Sequence, residues 1–391
     1  MCSCLHWFRS EGVSRVVALP FDLDAVVAGW AGLRSAMWRH KPDAFNRDEW
    51  AYLMGFLSSE RLEAPFRQCF GCRAGENGPV ASLARPRGTV SVWLPNNVSL
   101  LGSLSLVLLS LTGNRLWLKG GSRNADLTGA FLDYVRQYSA PGVLRDLLER
   151  QVRYDVFDHL DPRQQEMAAA DVRIVFGSDE AAAQIHGSAH PGRGIAISFS
   201  DRRSEAWIET AAATDQVLEQ LIRVFAIYGQ AGCTSPRRVL LLGASEQHAV
   251  EFRDRLMALW STVLPLKPPQ HIASGNTMAL QWAAACGWDA VPAPNRQAVI
   301  AAGPIDLDPI DAPMFLPVCS ASFEEAIVHL PPNIQTVGHA FAPGLERPWL
   351  EMAARTKIAR LVPIARMHHF GPLWDGEQFW RQCFEEVEVT L

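Results

Sequence analysis

The sequence predicts an α/β protein, a mainly parallel sheet covered by helices and followed by a second α/β unit. Three observations carry that prediction. Strand-like and helix-like stretches alternate from Thr89 onward, the pattern of strand–helix–strand units. A helical stretch ending near Gly229 leads into Val239-Leu240-Leu241-Leu242, a short apolar run of the kind buried inside a sheet. No internal repeat or low-complexity tract interrupts the 391 residues.

Taken in order, the chain to about Ala84 reads as helical. Asn46 and Glu49 make a capping box ahead of Trp50, Leu53, Met54 and Leu57. Charges, glycines and prolines between Gly71 and Gly88 mark a boundary. Residues 89–94 read as a strand, 99–111 as a helix, 115–118 as a strand and 125–138 as a helix. Asp161-Pro162, a cap followed by a first-turn proline, opens a short helix. Residues 172–176 are a strand, Gly177-Ser178-Asp179 opens a helix through Ile185, and 194–199 are a strand. Thr214 or Asp215 caps a helix carrying Val217, Leu221, Val224, Phe225 and Tyr228 at helical spacing, and Gly229 stops it. The pattern from Ser245 to about Leu259 is helical again.

Composition excludes several classes. A chain 48% hydrophobic and 20% charged belongs to a globular protein with a large core. A net charge of -5 gives nucleic acid no basic face to bind. No charged residue occurs from Gly88 to Asn114, but Pro95, Asn96, Asn97 and Gly102 break that stretch. A membrane span needs about 20 continuous apolar residues, so a core helix with Ser and Gly at close-packing positions is expected instead. The eight cysteines are scattered, unlike a secreted disulfide scaffold. The start lacks a secretory pattern, and a reducing cytoplasm is the expected location. Cys69 and Cys72 form a CxxC, with Cys2 and Cys4 as a looser pair; that spacing is too weak a zinc pattern to expect a metal.

Cys233 is the strongest candidate for chemistry. It lies in Gly229-Gln230-Ala231-Gly232-Cys233-Thr234-Ser235-Pro236, a turn of small residues between a helix and a core strand. Such a turn aims backbone N–H groups at the sulfur and at the oxygen of an attacked carbonyl. Pro95-Asn96-Asn97 ends the first strand, where an Asn amide either donates into the ligand crevice of an open sheet or caps the next helix. Lys119-Gly120-Gly121-Ser122-Arg123 ends the second strand with two cations and room for close backbone approach. Gly177-Ser178 closes the third strand at a helix N-terminus suited to a pyrophosphate, although no GxGxxG is present. The histidines, including His368-His369, form no metal pattern and read as structural or surface residues.

In order, these segments resemble the aldehyde dehydrogenase superfamily, and within it the bacterial acyl-CoA reductases of the luminescence fatty-acid reductase type. The resemblance runs from about Thr89 to Gly376. Leu94-Pro95-Asn96-Asn97 is similar to the segment carrying the oxyanion asparagine, with Asn97 in that place. Trp117-Leu118-Lys119 resembles the strand and lysine that meet the adenosine ribose, and 174–178 the strand before the pyrophosphate helix. The Cys233 turn resembles the nucleophile turn of the acyl-CoA reductases. Arg360-Leu361-Val362-Pro363-Ile364 and Leu373-Trp374-Asp375-Gly376 resemble the closing pattern of that branch. Ordinary aldehyde dehydrogenases carry a general-base Glu where this chain reads Ile195-Ala196-Ile197-Ser198-Phe199-Ser200. Their Glu-x-Phe-Gly-Pro segment is replaced by Pro313-Met314-Phe315-Leu316-Pro317, and their ribose-binding acid by Ser122.

The resemblance implies an aldehyde dehydrogenase-like fold: a helical region at 1–88, a Rossmann-type cofactor-binding domain at 89–227, an α/β nucleophile domain at 228–360, and a C-terminal segment, 361–391, packing on the first domain. It implies reduction of an acyl thioester to an aldehyde, with Cys233 as nucleophile and Asn97 as oxyanion donor. Lys119, Ser122, Arg123, Gly177 and Ser178 would hold NADPH, with NADH as the alternative cofactor. The acyl donor would be acyl-CoA, or an acyl-carrier or acyl-transferase protein, and a homo-oligomer stays open. Two rivals remain: an aldehyde dehydrogenase running in the oxidative or CoA-acylating direction, and a non-catalytic partner in a biosynthetic complex.

Overall fold

The structure, a computed structural model, describes residues 16–73, 80–121, 126–188, 192–265, 268, 270–307, 310–342 and 346–389. Five parallel strands form one sheet in the order Val152–Val156, Arg115–Gly120, Thr89–Trp93, Val172–Gly177, Ile195–Ser200. Seven strands form a second sheet in the order Asp289–Pro292, Val299–Ala302, Phe315–Ala321, Pro236–Leu242, Arg203–Glu209, Ile334–Ala340, Arg360–Pro363. Only its edge strand Asp289–Pro292 runs antiparallel. This is the α/β architecture of parallel sheets that the sequence predicts.

Both sheets are covered on two faces, and the alternation of side chains sorts the core accordingly. Val239 and Leu241 enter one cluster with Leu218, Leu221, Phe225, Phe252 and Trp260, from the helices Asp215–Ala226 and Glu246–Val263. Leu240 and Leu242 enter another with Trp207, Ala279 and Trp349. Val90 and Val92 face a large cluster shared with the N-terminal helices, while Trp93 and Val175 face a smaller one. The uncharged stretch forms the helix Leu101–Ser110, buried at Gly102 and all positions from Ser103 to Ser110. A Cβ on Gly102 would lie 1.9 Å from the Thr128 hydroxyl, so only glycine allows this helix to sit on its neighbour Thr128–Tyr138. Among the described residues no helix is long and apolar enough to cross a membrane.

Local signals set the helix starts. The Asn46–Glu49 capping box opens Arg47–Phe56. Thr214 caps Asp215–Ala226, Ser178 caps Asp179–His186, and Ser245 precedes Glu246–Val263.

Several expectations need correction. The region before residue 88 is not purely helical. Val16–Ala18, Cys72–Arg73 and Val80–Pro86 join Phe384–Glu388 in a four-stranded sheet. The change between the two large sheets falls between Ser200 and Arg203, not at 227/228. Arg203–Glu209 belongs to the seven-stranded sheet, pairing with Pro236–Leu242 and Ile334–Ala340. Residues 361–391 divide their packing. Ile364 and Met367 join the second unit's core, whereas Phe370, Phe379, Trp380 and Phe384 join the N-terminal one.

Arg203–Glu209 is hard to recognise because it buries a carboxylate. Glu205, 2% exposed, pairs with Arg238 at 2.7 Å and accepts from the Trp207 indole at 2.9 Å. Burial raises its pKa, and the Arg238 charge and these hydrogen bonds oppose that rise. Removing one member of such a pair strands the other charge. Glu205→Ala is expected to destabilise the protein by about 3–5 kcal/mol, read as a fall in the urea midpoint; a loss under about 1 kcal/mol would place the pair in the range of exposed ion pairs.

Candidate active site

The nucleophile turn begins where the helix Asp215–Ala226 ends, one turn earlier than Gly229 suggests. Tyr228, Gly229 and Gln230 follow with φ of 57°, 59° and 62°. Two of these are not glycine, so this left-handed stretch must be held by its surroundings. The Gln230 side chain, 1% exposed, donates to the Phe315 carbonyl at 2.9 Å and the Pro236 carbonyl at 3.2 Å. Tyr228 meets His368 edge-on, with ring centroids 5.9 Å apart. Beyond the reversal, Ser235 N–H bonds to the Gly232 carbonyl, and the Ser204 hydroxyl donates to the Cys233 carbonyl at 2.7 Å.

Cys233 is half-buried and opens on a cavity of about 730 Å³ that also reaches Asn97, Lys119, Gly177 and Ser178. Five residues singled out in the sequence thus share one space. Ser122 and Arg123 lie outside the described residues, as do Cys2 and Cys4. Among the described residues no group of three His, Cys, Asp or Glu could hold a metal.

The thiol is not a resting thiolate. Burial pushes its pKa up to about 11, and Asp375 pushes the same way. Three groups oppose them: the Gln335 amide, the Arg360 guanidinium and the N–H of Cys233 itself. The N–H groups that the turn was expected to aim at the sulfur do not suffice to hold it ionised, because burial outweighs the donors. Iodoacetamide labelling of Cys233, resolved from exposed Cys286 by peptide mapping, is expected to accelerate about tenfold per pH unit from about pH 7 to pH 10, since the thiolate fraction rises with pH until the raised pKa is reached. Asp375→Asn removes a neighbouring negative charge and is expected to speed labelling at fixed pH. A rate already flat at about pH 8 would show a thiolate formed at neutrality.

Four groups around the nucleophile turn were given no role in it by the sequence. Gln335, 0% exposed on the strand Ile334–Ala340, meets no polar partner among the described residues except the Cys233 sulfur, whose thiolate it favours. An unsatisfied buried amide beside a nucleophile is available for a reacting oxygen. Arg360 donates to the carbonyls of Met367 and His369 at 3.0 Å and covers the Trp374 ring, and burial lowers its pKa to about 10. Asp375 is bound to Arg202 at 2.7 Å. His368 is no surface residue. Nε2 donates to the Val224 carbonyl at 2.7 Å, so Nδ1 accepts from the Thr234 hydroxyl at 2.6 Å. Burial drives its pKa down to about 4. It is a neutral brace of the turn with both nitrogens engaged.

Asn97 stands across from the turn, its amide donating to the Ala231 carbonyl at 2.7 Å. The first and third strands, Thr89–Trp93 and Val172–Gly177, are neighbours whose onward connections run to opposite sides of the sheet. This is the switch point where open α/β sheets bind ligands beyond the strand carboxyl ends. Lys119 points there and makes no ion pair among the described residues; burial lowers its pKa while Asp158 opposes. A Cβ on Gly121 would fall 2.3 Å from Asn96 Oδ1, which records how closely the two loops pass. The helix Asp179–His186 offers fewer free donors than expected. Asp179 N–H is held by Asp201 and Ala181 N–H by Ser178. A nicotinamide nucleotide fits this half of the cavity through the switch-point crevice, the unpaired Lys119 and Ser178. Its phosphates would have to share the helix end with Asp201.

The chain has the fold of the aldehyde dehydrogenases. Betaine aldehyde dehydrogenase from Staphylococcus aureus superposes with a TM-score of 0.63 at 12% identity, over 94% of this chain and 81% of that one. An NAD-dependent benzaldehyde dehydrogenase from Corynebacterium glutamicum gives 0.62 at 13%, over 94% and 84%. A mutant of proline utilization A from Bradyrhizobium japonicum gives 0.66 at 15%, over 94% of this chain but only 42% of that longer one. No curated protein matches in sequence. The acyl-CoA reductase (LuxC) family profile matches residues 73–286, more than half of the chain, and the chain belongs to that family.

Proposed function

We propose that this protein reduces an acyl thioester to an aldehyde through an acyl-cysteine on Cys233, using NADPH in preference to NADH. The observation that carries the reading is the shared cavity. It joins a cysteine on a donor-lined turn to the switch-point crevice, and the strand Ile195–Ser200 brings no carboxylate to activate water. The Cys233 sulfur attacks the thioester carbonyl; its sulfur–carbon bond forms, the carrier's sulfur–carbon bond breaks, and the Cys233 proton leaves on the carrier thiol. The Cys233 N–H, the Gln335 amide and the Asn97 amide, once it leaves Ala231, support the developing oxyanion. Lys119 and Ser178 would hold a reduced nicotinamide nucleotide in the crevice, where it would supply the hydride. Arg360 and Gln335 favour the sulfur anion when the thiohemiacetal collapses and releases aldehyde. Lys119, with Arg123 and Ser122 beyond the described residues, supports the NADPH preference, since no carboxylate at position 122 repels a 2′-phosphate. The acyl donor is acyl-CoA or a carrier- or transferase-bound acyl group. A reducing, cytoplasmic setting suits a free nucleophilic thiol.

The test is aldehyde formation from a panel of acyl-CoA thioesters with each cofactor. We expect aldehyde in proportion to cofactor oxidised and a higher kcat/KM with NADPH. Aldehyde oxidation to free acid outrunning reduction would establish the oxidative direction instead.

A further inference from the structure

The residue after Pro236 has no task in the chemistry so far. Arg237 is the second residue of the strand Pro236–Leu242, four positions beyond Cys233, and lines the same cavity. It is half-buried. Among the described residues nothing accepts a hydrogen bond from its guanidinium and no carboxylate pairs with it. The next residue, Arg238, is by contrast engaged through its terminal nitrogen: Glu205 holds it at 2.7 Å, and it donates to the His329 carbonyl at 2.8 Å. Arg202 also lines the cavity, but Asp375 occupies it.

The charged groups that act on Arg237 are few. Asp311 attracts it without forming an ion pair, Arg203 repels it, and Cys233 attracts it only when ionised. Burial, the largest influence, lowers its pKa. A guanidinium that has shed water without gaining an acceptor is costly, and its planar fork matches a carboxylate or phosphate. Such a group opening on a reaction cavity is built to receive an oxyanion.

We propose that Arg237 binds a carboxylate at the far end of the acyl group, so that the substrates are ω-carboxyacyl thioesters. This rests on the thioester-reductase reading. Arg237 and Cys233 are four residues apart, at most about 14 Å along an extended chain, and the Gly232–Ser235 hydrogen bond shortens that reach. An anion a few carbons from the reacting carbonyl meets it there. A phosphate on the thiol carrier offers the same chemistry from the other end of a long arm, so the test separates the two.

The first arm compares kcat/KM for adipoyl and hexanoyl thioesters, each on CoA and on phosphate-free N-acetylcysteamine. The wild type is expected to favour adipoyl by about 10–100-fold on both carriers. Arg237→Gln should bring that ratio towards one, and Arg237→Lys should retain part of it. Equal ratios in wild type and Arg237→Gln would overturn the proposal. So would a loss in the variant confined to CoA thioesters and equal for both chains, which assigns the anion to the carrier phosphate. The second arm needs no turnover: adipate should protect Cys233 from iodoacetamide at concentrations where hexanoate does not, and Arg237→Gln should abolish the difference. Equal protection by the two acids overturns the proposal. Selective protection with neither thioester reduced leaves the anion receptor standing and removes the reductase reading.

Discussion

Cys233→Ser is expected to lower aldehyde formation from acyl thioester by about 10⁴–10⁶-fold, the scale on which loss of a nucleophile is felt, with the fold intact. A serine hydroxyl fills nearly the same space, and the turn is held by groups other than the sulfur: Gln230 on the Phe315 and Pro236 carbonyls, Ser204 on the Cys233 carbonyl, and His368 on Thr234. Serine would need a base to lose its proton. The imidazole that braces the turn already donates to Val224 and accepts from Thr234, and its pKa near 4 reflects its burial. The check is aldehyde yield beside the far-ultraviolet spectrum and melting temperature. Activity within about tenfold of wild type would remove Cys233 from the chemistry.

The second expected result is a persistent acyl-enzyme. An acyl group on Cys233 leaves by reduction or by hydrolysis. Hydrolysis gains about 10²–10⁴-fold from a positioned base. Ser198 and Ser200 replace the carboxylate position of ordinary aldehyde dehydrogenases, and Ser200 donates its proton to Asp179. Asp375 is paired with Arg202, and Asp201, though it reaches the cavity, caps Asp179. With labelled acyl on Cys233 and excess donor removed, the label should remain for many turnover times without NADPH and leave rapidly as aldehyde once NADPH is added. Equal loss as free acid in both arms would reveal a working base and defeat the reductase reading.

What the sequence disclosed follows from range. Capping signals and apolar periodicity are local, so the helix starts at Arg47, Asp179 and Asp215 and the strand carrying Val239–Leu242 were readable. Arg203–Glu209 was not, because its buried Glu205 is neutralised by Arg238 from another segment. Val152–Val156 was not, because an edge strand with Arg153 and Asp155 carries little apolar signal. At the site, Cys233, Asn97, Lys119 and Ser178 stand in recognisable local motifs. Gln335, Arg360, His368 and Asp375 come from segments over a hundred residues beyond Cys233. Arg360 and Asp375 sat in motifs already noted, but nothing local gave them a role. The raised thiol pKa was invisible for the same reason, since burial is a property of the assembled fold.

The segment from Arg360 to Phe384 ties the nucleophile's surroundings to both cores, with Met367 in one and Trp380, donating to the Leu108 carbonyl at 2.8 Å, in the other. It is also translated after both large sheets have most of their strands. A nascent chain halted near Ala340 can pair those strands, yet its Cys233 turn lacks the His368 brace and the Arg360 charge. Competence therefore arrives only when that segment docks on both cores. A ribosome-bound intermediate would hold the thiol without the means to use it, which delays the reactive state until the Arg360–Phe384 segment has been made and has docked.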